Sequence, residues 1–249
     1  MTAIPEAPPL VSIVTVSNRP ELVNEAIECV RRQRYPRIEF IAVSHRCETT
    51  ASLFADQNRS LQIERCGVLL SSEETVGACR NLGCARAVGD IIAMFDDDDW
   101  YGVNYLSEGV NLLLDVGADF VGRLSYIWLD YSLGAFAYVR APGAFTSAME
   151  HFSGNTHLFR RKCFGSLCQY ARSSLGEDFA FSTSLHSAGG LLVSGSRRGF
   201  VRRRNLSAGH RHLWNGIAPG FRLTEHEPLP FDEALVRELA HIDRDPWRP

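Results

Sequence analysis

Long apolar runs are missing from this sequence of 249 residues. No stretch approaches the roughly 18 consecutive apolar residues that a membrane-spanning helix needs. The first residues, MTAIPEAPPLVSIV, also lack the charged segment and the following apolar run of a secretory signal peptide. The sequence therefore predicts no membrane span and a cytoplasmic location.

An excess of positive charge is missing as well. The net charge is −3 and Lys162 is the only lysine, whereas a nucleic-acid-binding domain usually carries a basic stripe with interleaved aromatic residues. We therefore expect no nucleic-acid partner. One basic cluster consists of Arg197, Arg198, Arg202, Arg203 and Arg204. It is compatible with a binding surface for an anionic ligand, and equally with a solvent-facing strand that forms salt bridges.

Cysteine pairs are the third absence. The seven cysteines are odd in number and include no C-x-x-C pair, so that neither a zinc site nor a disulfide framework is indicated. We expect reduced, structural thiols, as in the cytoplasm.

What the sequence does contain is a regular alternation of strand and helix patterns. Short runs rich in β-branched residues are followed by apolar residues at helical spacing. The predicted strands of the first hundred residues are 10–16, 38–43, 61–65 and 90–95, and the predicted helices are 21–34, 49–57 and 75–88. This alternation predicts an α/β fold with a mostly parallel sheet and helices on both faces.

The pattern changes after residue 100. Two aromatic-rich segments, 124–129 and 135–140, flank a turn-like Ser-Leu-Gly and predict a small antiparallel hairpin. The other elements predicted in this part are helices at 103–116 and 177–186 and strands at 118–121, 157–160, 191–194 and 199–203.

A chain of this length can bury most of its apolar surface in a single core. We therefore divide it into a leader (1–9), one domain (10–215) and a C-terminal tail (216–249). The tail contains one predicted helix, 232–241, which could pack on the domain or on a second subunit. A homodimer formed through the tail is thus one expectation.

Four consecutive aspartates, Asp96 to Asp99, follow the fourth predicted strand. In an open parallel sheet, ligands bind beyond the carboxyl ends of the strands. Neighbouring carboxylates repel one another unless a cation or hydrogen-bond donors compensate, and Mg²⁺ or Mn²⁺ typically uses one or two carboxylates together with substrate phosphates. The motif therefore predicts a metal-dependent site for a nucleoside diphosphate. A solvated loop that caps the next helix would explain one aspartate only.

Several segments of the chain resemble a known enzyme family. GACRNLGCARAVGDIIAMFDDDDWYGVNYL and VSIVTVSNRPELVNEAI resemble the nucleotide-sugar-binding half of the family-2 glycosyltransferases of GT-A fold, and GNTHLFRR, GEDFAF and AGHRHLWN follow in the order expected for the acceptor half. The resemblance covers about residues 10–215, with the two halves at 10–100 and 101–215.

This resemblance implies a Rossmann-like fold and an inverting, metal-dependent reaction. A sugar would pass from a nucleoside diphosphate, expected to be UDP, to an acceptor hydroxyl. Mn²⁺ or Mg²⁺ is the implied cofactor. The expected acceptor is a sugar, a lipid-linked molecule or a small molecule.

The resemblance also implies roles for individual aspartates. Asp96 and Asp98 correspond to the D-x-D pair of the family. We expect Asp98 to contact the metal directly and Asp96 to be shared between the ribose and the metal. Because four aspartates are consecutive, Asp97 or Asp99 could serve instead.

Other residues of the first half correspond to donor-binding positions of the family. Thr15, Ser17 and Arg19 match its first nucleotide-binding loop, and Arg80 matches the basic residue that reaches the diphosphate. For Arg80, a salt bridge on the surface of a helix is the alternative.

The chain departs from the family after the second predicted strand. There the family usually carries an aspartate that binds the nucleobase, whereas this chain reads FIAVSHRCETT. Ser44, His45 or backbone groups would have to bind the base instead, so that the identity of the base is open.

Asp178, in LGEDFAF, corresponds to the general base of the inverting enzymes. Such a base accepts the proton of the acceptor hydroxyl as the bond between the sugar and the phosphate breaks. Alternatively, Glu177 and Asp178 are acids that the first turn of a helix favours. Glu177 is also a candidate acceptor contact.

His210 and His212 lie two residues apart in GHRHLW. The resemblance implies that a histidine here completes the metal shell, and His210 is our first candidate. Surface or capping histidines are the alternative. His212, Trp100 and Trp128 are candidate sugar contacts, although aromatic residues in such segments commonly belong to the core.

Three other functions are compatible with parts of the pattern. A non-catalytic protein that binds nucleotide sugars or takes part in assembly would retain the same fold. A nucleotidyltransferase would normally carry a glycine-rich basic loop that ends in lysine after the first strand, and SNRPELV is not such a loop. A phosphatase of the haloacid dehalogenase type uses its first aspartate as a nucleophile and needs a later lysine. The position of DDDDW and the single lysine argue against it.

Overall fold

The computed structural model of the protein describes residues 7–130, 134–138, 152–196, 198–204 and 226–229. Within these ranges the chain forms five α-helices and two β-sheets. The helices are α1 (Val23–Arg31), α2 (Glu48–Asn58), α3 (Val76–Arg86), α4 (Tyr105–Asp115) and α5 (Glu177–Ser187). None of these helices combines the length and the hydropathy that a bilayer crossing requires.

The strands that the structure describes are, in chain order, β1 (Val11–Ser17), β2 (Ile38–His45), β3 (Arg65–Ser71), β4 (Ile91–Met94), β5 (Trp100–Tyr101), β6 (Phe120–Gly122), β7 (Tyr126–Asp130), β8 (Gly134–Tyr138), β9 (Leu158–Arg160), β10 (Leu192–Ser194), β11 (Phe200–Arg204) and β12 (His226–Leu229). The first sheet has seven strands in the order β10-β6-β9-β4-β1-β2-β3. β4, β1, β2 and β3 run parallel, as do β10 and β6, whereas β9 is antiparallel to both of its neighbours. The predicted mostly parallel sheet is therefore confirmed.

β1 is buried on both faces and separates two apolar clusters. Its residues Val11 and Ile13 lie in the cluster formed with α1, α2 and α4. Val14, on the opposite face, lies in the cluster formed with α3 and α5. Because side chains alternate between the faces of a strand, this apolar run packs against helices on both sides. Helices thus cover both faces of the sheet, as predicted.

The second sheet has five strands in the order β12-β8-β7-β11-β5. β7 and β8 form the predicted antiparallel hairpin. The short strand β5 follows the aspartates and pairs with β11, with Tyr101 opposite Phe200 and Trp100 opposite Val201. The aspartates therefore connect the first sheet to the second, and strand pairing fixes both ends of their segment.

One predicted strand is displaced along the chain. β3 begins at Arg65, whereas the sequence pattern predicts a strand over 61–65. Leu61 and Ile63 alternate like strand residues, but they pack partly buried against the core before the strand begins. The actual strand is a mostly exposed edge strand that contains Gly67, and such strands have a weak apolar pattern.

β12 is absent from the predicted elements. It pairs with β8, so that residues 226–229 of the predicted tail extend the second sheet. The predicted tail helix, 232–241, lies outside the described residues. The division into leader, domain and tail stays a prediction.

Candidate metal and nucleotide site

The aspartate segment lies at the carboxyl end of β4, beside the end of β1. Val14 of β1 pairs with Met94, the last residue of β4, so that the aspartate segment follows β4 alongside the last residues of β1. Asp97, Asp98 and Asp99 are each 1% exposed or less. A solvated acidic loop is therefore the wrong interpretation, because buried charge needs donors or a cation to compensate it.

The negative charge of Asp97 is compensated by Ser17, the last residue of β1, and by Arg19 in the segment that follows. Both of its carboxylate oxygens accept hydrogen bonds from the Arg19 guanidinium, and the Ser17 hydroxyl donates to one of them. The Arg19 backbone N–H in turn donates to Ser17 Oγ at 3.0 Å. Burial raises the pKa of Asp97 to about 6, and Arg19 opposes this shift. Two of the predicted nucleotide-loop residues therefore hold an aspartate.

The carboxylate of Asp99 accepts hydrogen bonds from segments that lie far away in sequence. The Asn155 side-chain amide donates to Asp99 Oδ2, and the Arg203 backbone N–H donates to Oδ1 at 2.8 Å. The Asn155 carbonyl also accepts a hydrogen bond from the Tyr101 hydroxyl at 2.8 Å. That hydroxyl accepts the Asp96 N–H at 2.9 Å, so that both ends of the aspartate run are held by buried polar groups.

Three of the aspartates could together hold a cation. Asp96, Asp98 and Asp99 each offer a carboxylate oxygen, and these oxygens lie within 4.8 Å of one another. Arg19 Nη1 donates to Asp98 Oδ2 at 3.1 Å. Carboxylate oxygens suit Mg²⁺ and Mn²⁺, which typically take only one or two of them from the protein. The residues present therefore fit a divalent cation.

Arg80 of α3 lies between the aspartates and the start of α5. It is 5% exposed, and its Nη2 and Nη1 form ion pairs with Asp96 Oδ1 at 3.0 Å and Glu177 Oε1 at 3.2 Å. The guanidinium also lies 5.5 Å from the ring centroid of Tyr170. Burial disfavours the charge of Arg80, but Asp96 and Glu177 raise its pKa above the ordinary value. A surface salt bridge is therefore the wrong interpretation for Arg80.

Asp178 lies in the first turn of α5. Its Oδ2 accepts the Gly154 N–H at 2.9 Å, and its Oδ1 accepts the Phe179 N–H at 2.8 Å. Burial raises the pKa of the adjacent Glu177, and Arg80 opposes this shift. The structure thus brings the predicted general base next to the ion pair that reaches the aspartates.

A short turn over residues 154–156 contacts both groups of acids. Gly154 donates to Asp178, and Asn155 donates to the aspartate segment. A Cβ atom on Gly154 would collide with the Arg80 guanidinium and lie 3.0 Å from Asp178 Cβ. Glycine is therefore required here if Arg80 is to keep its position.

Several other predicted residues are buried within the protein. Thr15 is 1% exposed, and within the described chain its hydroxyl has no hydrogen-bond partner. The Ser44 hydroxyl donates to the Cys47 carbonyl at 2.5 Å. Trp100 is 4% exposed, and the Arg32 guanidinium lies 5.5 Å from its ring centroid. Little of the Trp100 ring is left for a sugar, and the ligand-binding roles of these residues stay predictions.

The remaining predicted residues fall outside what the structure describes. His210 and His212 lie in the undescribed part of the chain, and for Trp128 the structure describes only the backbone, in β7. Sequence reasoning missed Asn155, although GNTHLFRR contains it, and it named Arg203 only as one of a cluster. Arg203 is 2% exposed, so that a solvent-facing strand is wrong for this member.

Proteins of similar sequence or structure are known. The chain is 28% identical over 103 residues to EpsH of Bacillus subtilis (strain 168), a protein that carries the name of a glycosyltransferase; the match covers 41% of this chain and 30% of EpsH. Residues 1–349 of S. aureus TarS in complex with UDP-GlcNAc have a similar fold, with a TM-score of 0.69, 13% identity and coverage of 83% of this chain and 61% of that chain.

A second solved structure is the mannosyltransferase PcManGT from Pyrobaculum calidifontis in complex with GDP-Man and Mn²⁺. Its TM-score is 0.64 at 18% identity, and the match covers 84% of this chain and 61% of that chain. The chain thus spans about three fifths of both solved structures and under a third of EpsH. These similarities establish the GT-A fold.

The model of the family described as glycosyl transferase family 2 matches residues 12–165. The match covers more than half of the chain, begins at the second residue of β1, includes the aspartate segment and ends before α5. The chain therefore belongs to glycosyl transferase family 2.

Proposed function

We propose that the protein is an inverting glycosyltransferase that moves a sugar from a nucleoside-diphosphate donor to an acceptor hydroxyl, with Mn²⁺ or Mg²⁺ as cofactor. The observation that carries the proposal is the connection between two groups of acids. Arg80 pairs with both Asp96 and Glu177, and the turn over 154–156 contacts Asp178 and the aspartate segment. One group fits a cation, and the other offers a carboxylate that can accept a proton.

The contacts favour Asp96 and Asp98 as the metal-binding pair. Both oxygens of Asp97 and both oxygens of Asp99 accept hydrogen bonds from protein donors. Those two carboxylates are thus used to build the segment, and they alternate with the two that form the D-x-D pair. The sequence pattern leaves open which of the four aspartates form this pair, and these contacts support Asp96 and Asp98.

A bound Mn²⁺ or Mg²⁺ would supply positive charge to the departing nucleoside diphosphate. Ion pairs within the protein hold the carboxylates that would bind this cation. Arg19 holds Asp97 and Asp98 near the end of β1, and Arg80 holds Asp96. Because these ion pairs join a strand end and a helix to the segment, the carboxylates are preorganised.

Asp178 is the proposed general base. In a single displacement the acceptor oxygen forms a bond to the sugar C1, the bond between C1 and the phosphate oxygen breaks, and the nucleoside diphosphate leaves. Asp178 accepts the proton of the acceptor hydroxyl in this step. The hydrogen bond from Gly154 N–H orients the carboxylate. No covalent intermediate is required, which agrees with inversion.

The nucleobase is expected to bind near the end of β2, where Ser44 and His45 lie. UDP is our expectation for the donor nucleotide. The TarS structure holds UDP-GlcNAc and the mannosyltransferase structure holds GDP-Man, so that one fold accommodates different bases. The test must therefore compare nucleotides.

The test is a thermal-shift panel of UDP, GDP, dTDP and CDP, each with Mn²⁺ or with EDTA. It uses wild type, Asp98→Asn and, as a matched control, Asp56→Asn, an acid on α2 whose side chain is 68% exposed. A nucleotide at about a hundred times its Kd should stabilise the folded protein by roughly 2.7 kcal/mol. We expect one nucleotide to stabilise wild type and Asp56→Asn only with Mn²⁺, and Asp98→Asn not at all.

A nucleotide that stabilises the protein must then be tested as a sugar donor. Release of the diphosphate from the matching nucleotide sugar, with water as the acceptor, separates an enzyme from a non-catalytic binding protein. If no nucleotide shifts wild type under either metal condition, the donor-site proposal fails. If nucleotides bind and no donor is turned over, the non-catalytic function is the better account.

A further inference from the structure

Arg203 of β11 contacts both the aspartate segment and α1. Its Nε donates to the Asp98 carbonyl at 2.8 Å, and its backbone N–H donates to Asp99 Oδ1 at 2.8 Å. Its Nη2 forms an ion pair with Glu25 of α1. We propose that Arg203 is a positioning residue for the metal site, an inference that rests on the proposed function.

The contacts of Arg203 restrict the aspartate segment at two adjacent residues. The side chain holds the backbone of Asp98, and the main chain holds the carboxylate of Asp99. Farther along the same two segments, Val201 pairs with Trp100. The end of the aspartate run is therefore fastened to the second sheet, and the direction of the Asp98 side chain follows from the fixed backbone.

The burial of Arg203 argues for such a role. Its side chain is 3% exposed, and removing a guanidinium from water is costly even when an acid pairs with it. A well-packed apolar side chain in such a place is often at least as stabilising as a buried ion pair. The presence of arginine is therefore better explained by what the guanidinium holds than by its contribution to stability.

The shape of the guanidinium fits this task. Nε and Nη2 point in fixed, different directions from one rigid plane, so that Arg203 can bind the Asp98 carbonyl and Glu25 at the same time. A lysine carries a single flexible ammonium group and can satisfy one of these partners well. Arg203→Lys therefore keeps the charge and loses the two-point attachment.

The test compares Arg203→Lys with wild type and with Arg160→Lys. Arg160 is a matched control because its Nε also donates to a backbone carbonyl, that of Ala118, at 2.8 Å. It pairs with Ile91 at the opposite end of β4 from the aspartates. The affinity for Mn²⁺ is measured from the electron paramagnetic resonance signal of free Mn²⁺, without nucleotide and with each of UDP, GDP, dTDP and CDP. Thermal midpoints are recorded without metal.

We expect Arg203→Lys to bind Mn²⁺ roughly 10- to 100-fold more weakly than wild type, as is usual when a group that orients metal ligands is lost. Excess Mn²⁺ should restore binding, which a merely unfolded fraction would not show. Arg160→Lys should bind Mn²⁺ like wild type. If folded Arg203→Lys also binds Mn²⁺ like wild type, the inference is overturned while the proposed function stands.

Two further outcomes are failure of Arg203→Lys to fold and failure of wild type to bind Mn²⁺. If Arg203→Lys does not fold, Glu25→Gln is used instead, because it leaves Arg203 in place and weakens its attachment to α1. Weaker Mn²⁺ binding by Glu25→Gln supports the inference, and unchanged binding overturns it. If wild type binds no Mn²⁺ with or without any nucleotide, the proposed function itself fails, and the inference fails with it.

Discussion

The aspartate segment and the start of α5 carry the two groups of acids in the proposed reaction, and they are built differently. Residues 97–99 are buried, and strand pairing fixes both ends of their segment. Asp178 is half-buried, and its neighbours Leu175 and Phe179 are 60% and 39% exposed. Among the described residues, the proposed donor side is thus buried, whereas the surroundings of the proposed base are more exposed.

The largest expected effect is on kcat, and it comes from a substitution that changes the proposed acceptor side alone. Asp178→Asn should lower kcat by roughly 10²- to 10⁴-fold, because an amide cannot accept the proton. The nucleotide-induced thermal shift should be retained, since the aspartate segment is intact. Turnover is measured as diphosphate release from the donor, with Asp115→Asn, an exposed acid at the end of α4, as the control. Unchanged kcat in Asp178→Asn would exclude this residue as the base.

Removing Arg80 should break the connection between the two sides. Arg80→Met leaves the carboxylates of Asp96 and Glu177 without their buried cation, and loss of one partner of a buried pair typically costs about 3–5 kcal/mol. The free energy of unfolding is measured with urea. A loss confined to kcat, with full stability, would show that Arg80 acts on the ligand only.

The pH dependence of the free energy of unfolding of Arg80→Met should show which acid has lost its partner. Burial already raises the pKa of Glu177, and removal of Arg80 should raise it further. An acid with a raised pKa destabilises the fold as the pH rises, because the folded state must release its proton. The destabilisation should therefore be smallest below about pH 4, near the ordinary pKa of glutamic acid, and larger at neutral pH. Arg160→Met should lack this dependence.

The fold and the position of the aspartates could be predicted because their signals are local. The β-branched run of β1 and the helical spacing of α1 and α3 depend on neighbours in sequence. The sequence pattern predicts the edge strand β3 too early along the chain, because Gly67 and high exposure weaken the apolar pattern of this strand. Where packing does not impose an apolar period, the sequence carries little information on strand bounds.

The partners of the aspartates could not be predicted because they lie far away in sequence. Asp99 receives hydrogen bonds from Asn155, 56 residues later, and from Arg203, 104 residues later. Such contacts follow from sheet order and from the turn over 154–156, not from a spacing in the chain. The resemblance gives neither Asn155 nor Arg203 a role, although one of its segments, GNTHLFRR, contains Asn155.

Gly154→Ala should disturb both sides through the turn that joins them. The added methyl group would meet the Arg80 guanidinium, and overpacking of this kind typically costs about 1–3 kcal/mol. Gly67→Ala is the matched control, because a Cβ atom there has no neighbour within 4 Å. Urea unfolding and the nucleotide-induced shift are measured for both variants. Equal stability of Gly154→Ala and wild type would mean that Arg80 has room to move.

The smallest expected effect is on the free energy of unfolding, and it tests whether the start of α5 is less tightly built than the aspartate segment. Leu175→Ser removes an exposed apolar group next to Asp178 and should change the free energy of unfolding by less than about 0.5 kcal/mol, as exposed substitutions usually do. Val88→Ser, at a residue that is 45% exposed, is the control in urea unfolding. The nucleotide-induced shift should be that of wild type. A stability loss well above about 0.5 kcal/mol, or loss of the shift, would show that the start of α5 belongs to the same assembled structure as the aspartates. In that case the two sides would not differ in construction, and the acceptor would have to enter elsewhere.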